Sequence, residues 1–276
     1  MQRTLACPFF QRAFGWSVPI GGLAGLIGLG GGEFRLPVLM HGIGFDAKSA
    51  APLNLMISLV TLSSAMISRS AAVSTGAMLP HWPEFAGLAL GGMASAIYGV
   101  RLVRNLSSEW LVRLIACLLV GIGALLLWEV AFPFRYTSLL PTSVTAHLSA
   151  GIVIGVGIGI VSRVLGVAGG ELLIPTLIFV FGVDIRIAGS ASILISLGIV
   201  LMGLLRYWRS NAIPQGRGIQ RIAFAMSAGS IIGSTLGGLA VAYAPIAFLK
   251  VFLGSVLIAA AVKTIIAHRD GWKISN

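Results

Sequence analysis

Two short motifs in this sequence each place a carboxylate after paired glycines and a few residues before a proline. They are Gly31-Gly32-Glu33-Phe34-Arg35-Leu36-Pro37 and Gly169-Gly170-Glu171-Leu172-Leu173-Ile174-Pro175, 138 residues apart. Paired glycines leave backbone N–H groups accessible at the start of a following helix, where the partial positive charge favours an anion. We therefore expect Gly31, Gly32, Gly169 and Gly170 to contribute to substrate binding. The alternative is that these glycines only allow close packing.

Glu33 and Glu171 lie within the first three residues of the expected helices, in otherwise apolar segments. A carboxylate at membrane depth is costly and marks a proton or ion path by default. A carboxylate near a helix start can also cap free backbone N–H groups. The two roles are compatible, and both residues are candidate proton carriers.

Arg35 and Arg163 are cations placed close to the two motifs. The planar donors of arginine suit the oxygens of a small oxyanion, and an arginine inside a membrane must pair or face a cavity. The alternative is a salt bridge to Glu33 or Glu171, and Arg35 could also extend towards the interface. Because neither arginine has a basic residue 138 positions away, any anion site built from them is asymmetric.

Polar residues also occur in the apolar segments that follow the motifs. They are spaced four apart, so each pair shares one helical face. They could line a substrate pathway or form hydrogen bonds between helices, and the sequence favours neither role. These residues are Asn54, Ser58, Ser192 and Ser196.

Enzymatic and metal-binding motifs are missing from the sequence. The four histidines, His41, His81, His147 and His268, are scattered, and neither an H-E-x-x-H nor a G-x-S-x-G motif occurs. The two cysteines are far apart, so neither a disulfide framework nor a metal site is expected. We predict no enzyme activity, no metal and no cofactor.

The composition explains what must position these residues. The chain is 57% hydrophobic and 10% charged, whereas soluble domains are typically about 25% charged. Apolar runs of the roughly 20 residues needed to span a bilayer recur throughout. The chain is therefore predicted to be an all-α polytopic membrane protein that contacts lipid. The net charge of +11 comes mainly from loops and tails, so we do not expect nucleic acid as a partner.

Each motif is expected to lie in a short broken or re-entrant helix pair, followed by three transmembrane helices. The six predicted spans are 47–68, 83–103, 108–128, 187–207, 222–243 and 246–267. The predicted segments are a cytoplasmic tail 1–16, a first repeat 17–128, a linker 129–146, a second repeat 147–267 and a C-terminal tail 268–276.

The 138-residue offset matches further residues of the two halves, which indicates an internal repeat. Arg206, Arg209, Arg217 and Arg221 mark a cytoplasmic loop, whereas its counterpart in the first half carries only Arg69. This difference favours an inverted repeat with both termini inside. If each helix pair crosses the membrane once, the halves would be parallel instead.

The motifs, the repeat and the spans together resemble the sulfite exporter TauE/SafE family. The resemblance rests on residues 28–32 followed by Pro37, and on residues 166–170 followed by Pro175 and Gly182. It implies secondary transport of sulfite or a small organosulfur anion, such as a sulfonate, out across a bacterial inner membrane. Transport by alternating access, with possible proton coupling, is the expected function. A passive anion channel and a transporter of small carboxylates are the alternatives.

Overall fold

The computed structural model describes residues 7–103, 108–132, 141, 143–165, 169–214 and 216–274. These residues form helices joined by short turns, and none of them lies in a β-strand. The helices are α1 (Cys7–Leu23), α2 (Gly32–Pro37), α3 (Ala47–Ser70), α4 (Thr75–Met78), α5 (Trp82–Val103), α6 (Ser108–Ala131), α7 (Val144–Leu165), α8 (Gly170–Phe179), α9 (Ile185–Arg209), α10 (Arg217–Ala240) and α11 (Ile246–Ile274). Two of them continue as π-helical turns, α1 through Ala24–Gly28 and α2 through Val38–Gly42.

The chain has the helices of a polytopic membrane protein. Each of the six predicted spans coincides with one helix, namely α3, α5, α6, α9, α10 and α11. Among the described residues, four helical segments are long and apolar enough to cross a membrane, namely Ser49–Ser70, Val144–Ser162, Ile185–Arg209 and Gly218–Ala240. The all-α fold class predicted from composition is therefore confirmed.

The helix before each motif is longer than the sequence analysis predicted. With its π-helical turn, α1 runs from Cys7 to Gly28, so residues 7–16 are helical. The counterpart α7 has 22 residues, about 33 Å at 1.5 Å per residue, which is enough to span a bilayer. In the first half, Arg12 interrupts the apolar pattern of residues 7–16, whereas in the second half the predicted start at 147 lies three residues after the observed start of α7.

A glycine in the left-handed backbone conformation interrupts the helical path before each short helix. Gly31 has φ 68° and precedes α2, and Gly169 has φ 80° and precedes α8. Residues with a Cβ rarely adopt this conformation. Since Gly44 and Gly182 also have positive φ, of 86° and 71°, the left-handed conformation recurs twice at the same 138-residue spacing.

Close glycine contacts join helices from different halves of the chain. A Cβ placed on Gly21 of α1 would lie 2.6 Å from the Ser230 carbonyl oxygen of α10, and one on Gly25 would lie 2.2 Å from that of Ser234. Residue numbers increase by four in both helices between these two contacts, so α1 and α10 run parallel. The same geometry joins α5 to α7, where Gly87 lies against Leu148 and Gly91 against Ile152. Small residues allow this approach of backbones.

Helices at equivalent places in the two halves run antiparallel to each other. Arg69, near the end of α3, contacts Ser190 near the start of α9, whereas Leu55 contacts Gly203. For α6 and α11, Glu129 contacts Lys250, and Gly123 contacts Ile258. In each pair, residues further along one helix meet residues earlier in the other.

Candidate functional site

A buried arginine cluster lies beside the first motif. The side chain of Arg35 is fully buried, with 0% exposure. Its Nη1 donates to Ser58 Oγ at 3.0 Å and to Asn54 Oδ1 at 3.5 Å. Its Nη2 donates to Thr61 Oγ1 at 3.0 Å and to Ser230 Oγ at 3.3 Å. Four neutral acceptors from α3 and α10 therefore surround a cation on α2.

The helix break at Gly31 determines where Arg35 lies. Because α2 begins at Gly32, directly after the break, Arg35 is its fourth residue. The Arg35 amide donates to the Gly31 carbonyl oxygen at 3.1 Å. Asn54 Nδ2 donates to the Gly32 carbonyl oxygen at 3.4 Å. This bond fixes the start of α2 against the middle of α3.

The start of α2 lies close to the start of α8. A Cβ placed on Gly170 would lie 3.3 Å from Leu29 Cα and 3.3 Å from Ser192 Oγ. Leu29 is three residues before α2, and Gly170 is the first residue of α8. The two broken helices therefore start next to each other inside the protein, as in transporters built from discontinuous helices.

The predicted residues of the second motif form a separate group. Gly170 and Ser192 are in contact, Ser196 is fully buried, and Glu171 is 4% exposed. The Ser192 hydroxyl has no hydrogen-bond partner among the described residues. Arg163 lies in the last turn of α7, and its side chain is outside the described part of the structure.

The arginine cluster has only a partial polar equivalent in the second half. At the 138-residue offset, Arg35 corresponds to Leu173, Thr61 to Ile199 and Ser230 to Gly92. Leu173 is fully buried, and Ile199 contacts Gly92, where an added Cβ would lie 2.6 Å from Ile199 Cδ1. The second half therefore keeps two buried hydroxyls, Ser192 and Ser196, at the positions of Asn54 and Ser58, but has no cation at the position of Arg35.

Glu33 is close enough to influence the cluster. Its side chain is 7% exposed, and its carboxylate interacts electrostatically with Arg35. The Glu33 carboxylate offsets part of the Arg35 charge, and the planar donors of the guanidinium match the geometry of an oxyanion.

The sequence analysis missed two members of the cluster, Thr61 and Ser230. Thr61 was detectable, because Asn54, Ser58 and Thr61 are spaced i, i+4 and i+7 on one helical face. Ser230 gave no such signal, since it lies 195 residues from Arg35 and meets it only through packing.

Arg69 is a second fully buried arginine that the sequence analysis treated as a loop charge. Its Nη1 donates to the carbonyl oxygens of Gly25 and Leu26, both at 2.9 Å. Its Nη2 donates to the Arg186 carbonyl oxygen at 2.9 Å, and its Nε donates to Ser190 Oγ at 3.0 Å. Arg69 therefore neutralises the carbonyl end of α1 and joins it to α9. It is not a topology signal.

The fold and the cluster define a multi-pass helical membrane protein with a buried cationic centre. The chain belongs to the sulfite exporter TauE/SafE family, whose model matches residues 13–264. This is a family of anion transporters and not of enzymes. Comparisons with curated proteins and with solved structures give no significant match.

Proposed function

We propose that this protein is a secondary transporter that exports sulfite or a small sulfonate across a bacterial inner membrane by alternating access. The observation that carries the proposal is Arg35, a fully buried cation bound to neutral hydroxyl and amide oxygens. A buried cation is costly unless it is compensated, and a small anion would add to the partial compensation that Glu33 provides. An oxyanion would replace some of the neutral acceptors of the guanidinium.

The proposed substrate-binding residues are residues of the arginine cluster and the adjacent helix start. Arg35 binds the anion, the Ser58 hydroxyl donates a hydrogen bond to it, and the backbone at Gly31 and Gly32 completes the site. The family supports an anion of the sulfite type as the substrate. Ser192, Ser196, Gly169 and Gly170 would line the opposite side of the path, and Arg163 remains a proposed contact.

We also infer that the two halves form an inverted repeat. Helices α3 and α6 run antiparallel to α9 and α11, their counterparts at the 138-residue offset. At the same 138-residue offset, α1 corresponds to α7 and α10 corresponds to α5. The parallel pair α1–α10 is therefore matched by the parallel pair α7–α5. Inverted repeats around a central site are the common basis of alternating access. This arrangement supports a transporter over a passive channel.

The test is sulfite flux and sulfite binding in purified, reconstituted protein. Arg35→Gln should lower sulfite affinity by about tenfold or more, because hydrogen bonds to charged groups contribute about 1.5–3 kcal/mol. Arg35→Lys keeps the charge but loses the planar fork, so it should restore binding only in part.

The matched control is Arg209→Gln, which removes one positive charge from an exposed position at the end of α9. It should leave sulfite affinity unchanged. Thermal unfolding of each variant distinguishes lost binding from lost folding. A well-folded Arg35→Gln protein with unchanged sulfite affinity would disprove the assignment of Arg35.

A further inference from the structure

A cavity of about 260 Å³ lies between α1 and the π-helical continuation of α2. The cavity is large enough for a small anion, and Arg12 is the charged residue of its mainly apolar lining. Its lining residues include a cation and an indole ring on successive turns of α1. They are Arg12, Ala13, Trp16, Val38, Gly42 and Ile43.

One apolar layer separates this cavity from the arginine cluster. Ala13, which lines the cavity, packs in a buried cluster with Leu39, Ile57 and Met226. Each of these residues is one helical turn from a polar residue. Leu39 is four residues after Arg35, Ile57 is four before Thr61, and Met226 is four before Ser230. The cavity, the apolar layer and the cluster therefore follow one another along the helices.

Ser17 lies on the cluster side of that layer, one turn beyond Ala13. Its side chain has 0% exposure, and its hydroxyl has no hydrogen-bond partner among the described residues. A Cβ on Gly229 would lie 3.1 Å from Ser17 Cβ, and Gly229 is adjacent to Ser230. A fully buried hydroxyl without a partner is costly in the resting protein.

The Nε atom of Arg35 is also without a hydrogen-bond partner in the described part of the chain. Gly31 lies between Ile20 of α1 and the Arg35 guanidinium, since its Cβ would be 3.0 Å from Ile20 Cγ2 and 3.4 Å from Arg35 Nη2. Ile20 is one turn after Ser17. Ser17 Oγ, on the α10 side of α1, and Arg35 Nε, on α2, are therefore two unpartnered donors among the described residues, and one turn of α1 separates Ser17 from the Ile20 contact with Gly31.

We propose that the cavity is the entry site for the transported anion on the side of the N-terminus. Arg12 attracts the anion to the cavity, the layer of Leu39, Ile57 and Met226 closes the path, and Ser17 binds the anion between that layer and Arg35. This inference rests on the proposed function, since it assigns a route to the same cargo. The ligand class is a small oxyanion, and sulfite is the probe.

The test measures sulfite flux in vesicles with sulfite offered from one side at a time. Arg12→Gln should raise KM about threefold or more for sulfite on the N-terminal side at low salt, and leave KM unchanged from the other side. About 0.5 M KCl should abolish the difference, because Arg12 is exposed and its field is screened. Arg12→Lys keeps the charge and should reverse most of the rise in KM that Arg12→Gln causes on the N-terminal side.

Val38→Trp tests the cavity by filling it, and should lower flux about tenfold or more. The control is Thr176→Trp, because Thr176 is also half-buried and stands 138 residues later, outside the cavity. It should retain most of the flux. If Val38→Trp fails to fold, the KM measurement with Arg12→Gln still tests the proposed entry site.

The outcomes separate the two proposals. Absence of sulfite flux in the unchanged protein would overturn the proposed function and the entry site with it. An active unchanged protein whose KM is insensitive to Arg12→Gln on both sides, or equally sensitive on both, would overturn the entry site alone.

Discussion

Arg35 of α2 donates a hydrogen bond at 3.3 Å to the hydroxyl of Ser230 of α10, 195 residues later in the chain. The bond joins a broken helix of the first half to a long helix of the second half. Because α10 also packs along α1, a movement of the Arg35 side chain would alter contacts in both halves of the chain. A substrate that accepted this hydrogen bond in place of Ser230 would release α10 from α2. A ligand can drive a conformational change only if its contacts differ between the two conformations, and this bond would be such a difference.

The two buried arginines should respond differently to substitution. Arg69→Gln removes donors from the carbonyl oxygens of Gly25, Leu26 and Arg186, and each acceptor left unsatisfied costs about 1–3 kcal/mol. We expect a clear fall in the unfolding temperature of purified protein. The sulfite KM of the folded fraction should stay near that of the unchanged protein. A lowered sulfite affinity at unchanged stability would show that Arg69 binds substrate.

The glycines at the helix starts should tolerate no large side chain. A Cβ on Gly32 would lie 2.9 Å from Asn54 Nδ2, and one on Gly170 would lie 3.3 Å from Leu29 Cα. Gly32→Leu and Gly170→Leu should therefore abolish sulfite transport while leaving membrane insertion intact.

The control for these glycines is Gly157→Ala in α7. Nothing lies within 4 Å of the Cβ that it would add, and alanine is favoured over glycine in helices. This variant should transport sulfite normally. Normal flux in either leucine variant would mean that the motif glycines serve packing alone.

The two motif carboxylates remain predicted proton carriers. Glu→Gln at either position mimics the protonated form and keeps part of the local hydrogen bonding. If Glu171 carries the proton, Glu171→Gln should retain sulfite binding but lose proton flux, measured in proteoliposomes with a pH-sensitive dye. We expect a smaller effect of Glu33→Gln on proton flux, because Glu33 interacts with Arg35. Unchanged proton flux in both variants would exclude coupling through these residues.

The topology is testable with single cysteines. Ser74 and Ser210 are both exposed, at the end of the α3–α4 turn and at the end of α9. In a background without Cys7 and Cys117, Ser74→Cys should react with an impermeant thiol reagent from outside intact cells. Ser210→Cys should react only after the cells are opened. Labelling of both from the same side would contradict an inverted repeat.

The sequence alone determined the helices and their breaks, because both depend on local interactions. Apolar runs of about 20 residues placed five of the six long helices within five residues of their observed bounds, and α11 ends seven residues later than predicted. Glycine is the residue that adopts positive φ readily, so the motifs marked the breaks at Gly31 and Gly169. The polar face of α3 was also visible, since Asn54 and Ser58 are one turn apart.

Only the tertiary structure decided which polar residues meet. Ser230 reaches Arg35 because small residues bring α1 and α10 close together, and sequence spacing carries no record of that approach. The different surroundings of Arg35 and Arg69 follow from the same cause. One arginine is surrounded by neutral side-chain acceptors, and the other by carbonyl oxygens at the end of α1. The sequence analysis read Arg69 as a loop charge because it stands at the end of an apolar run, and its burial against carbonyl oxygens is visible only in the structure.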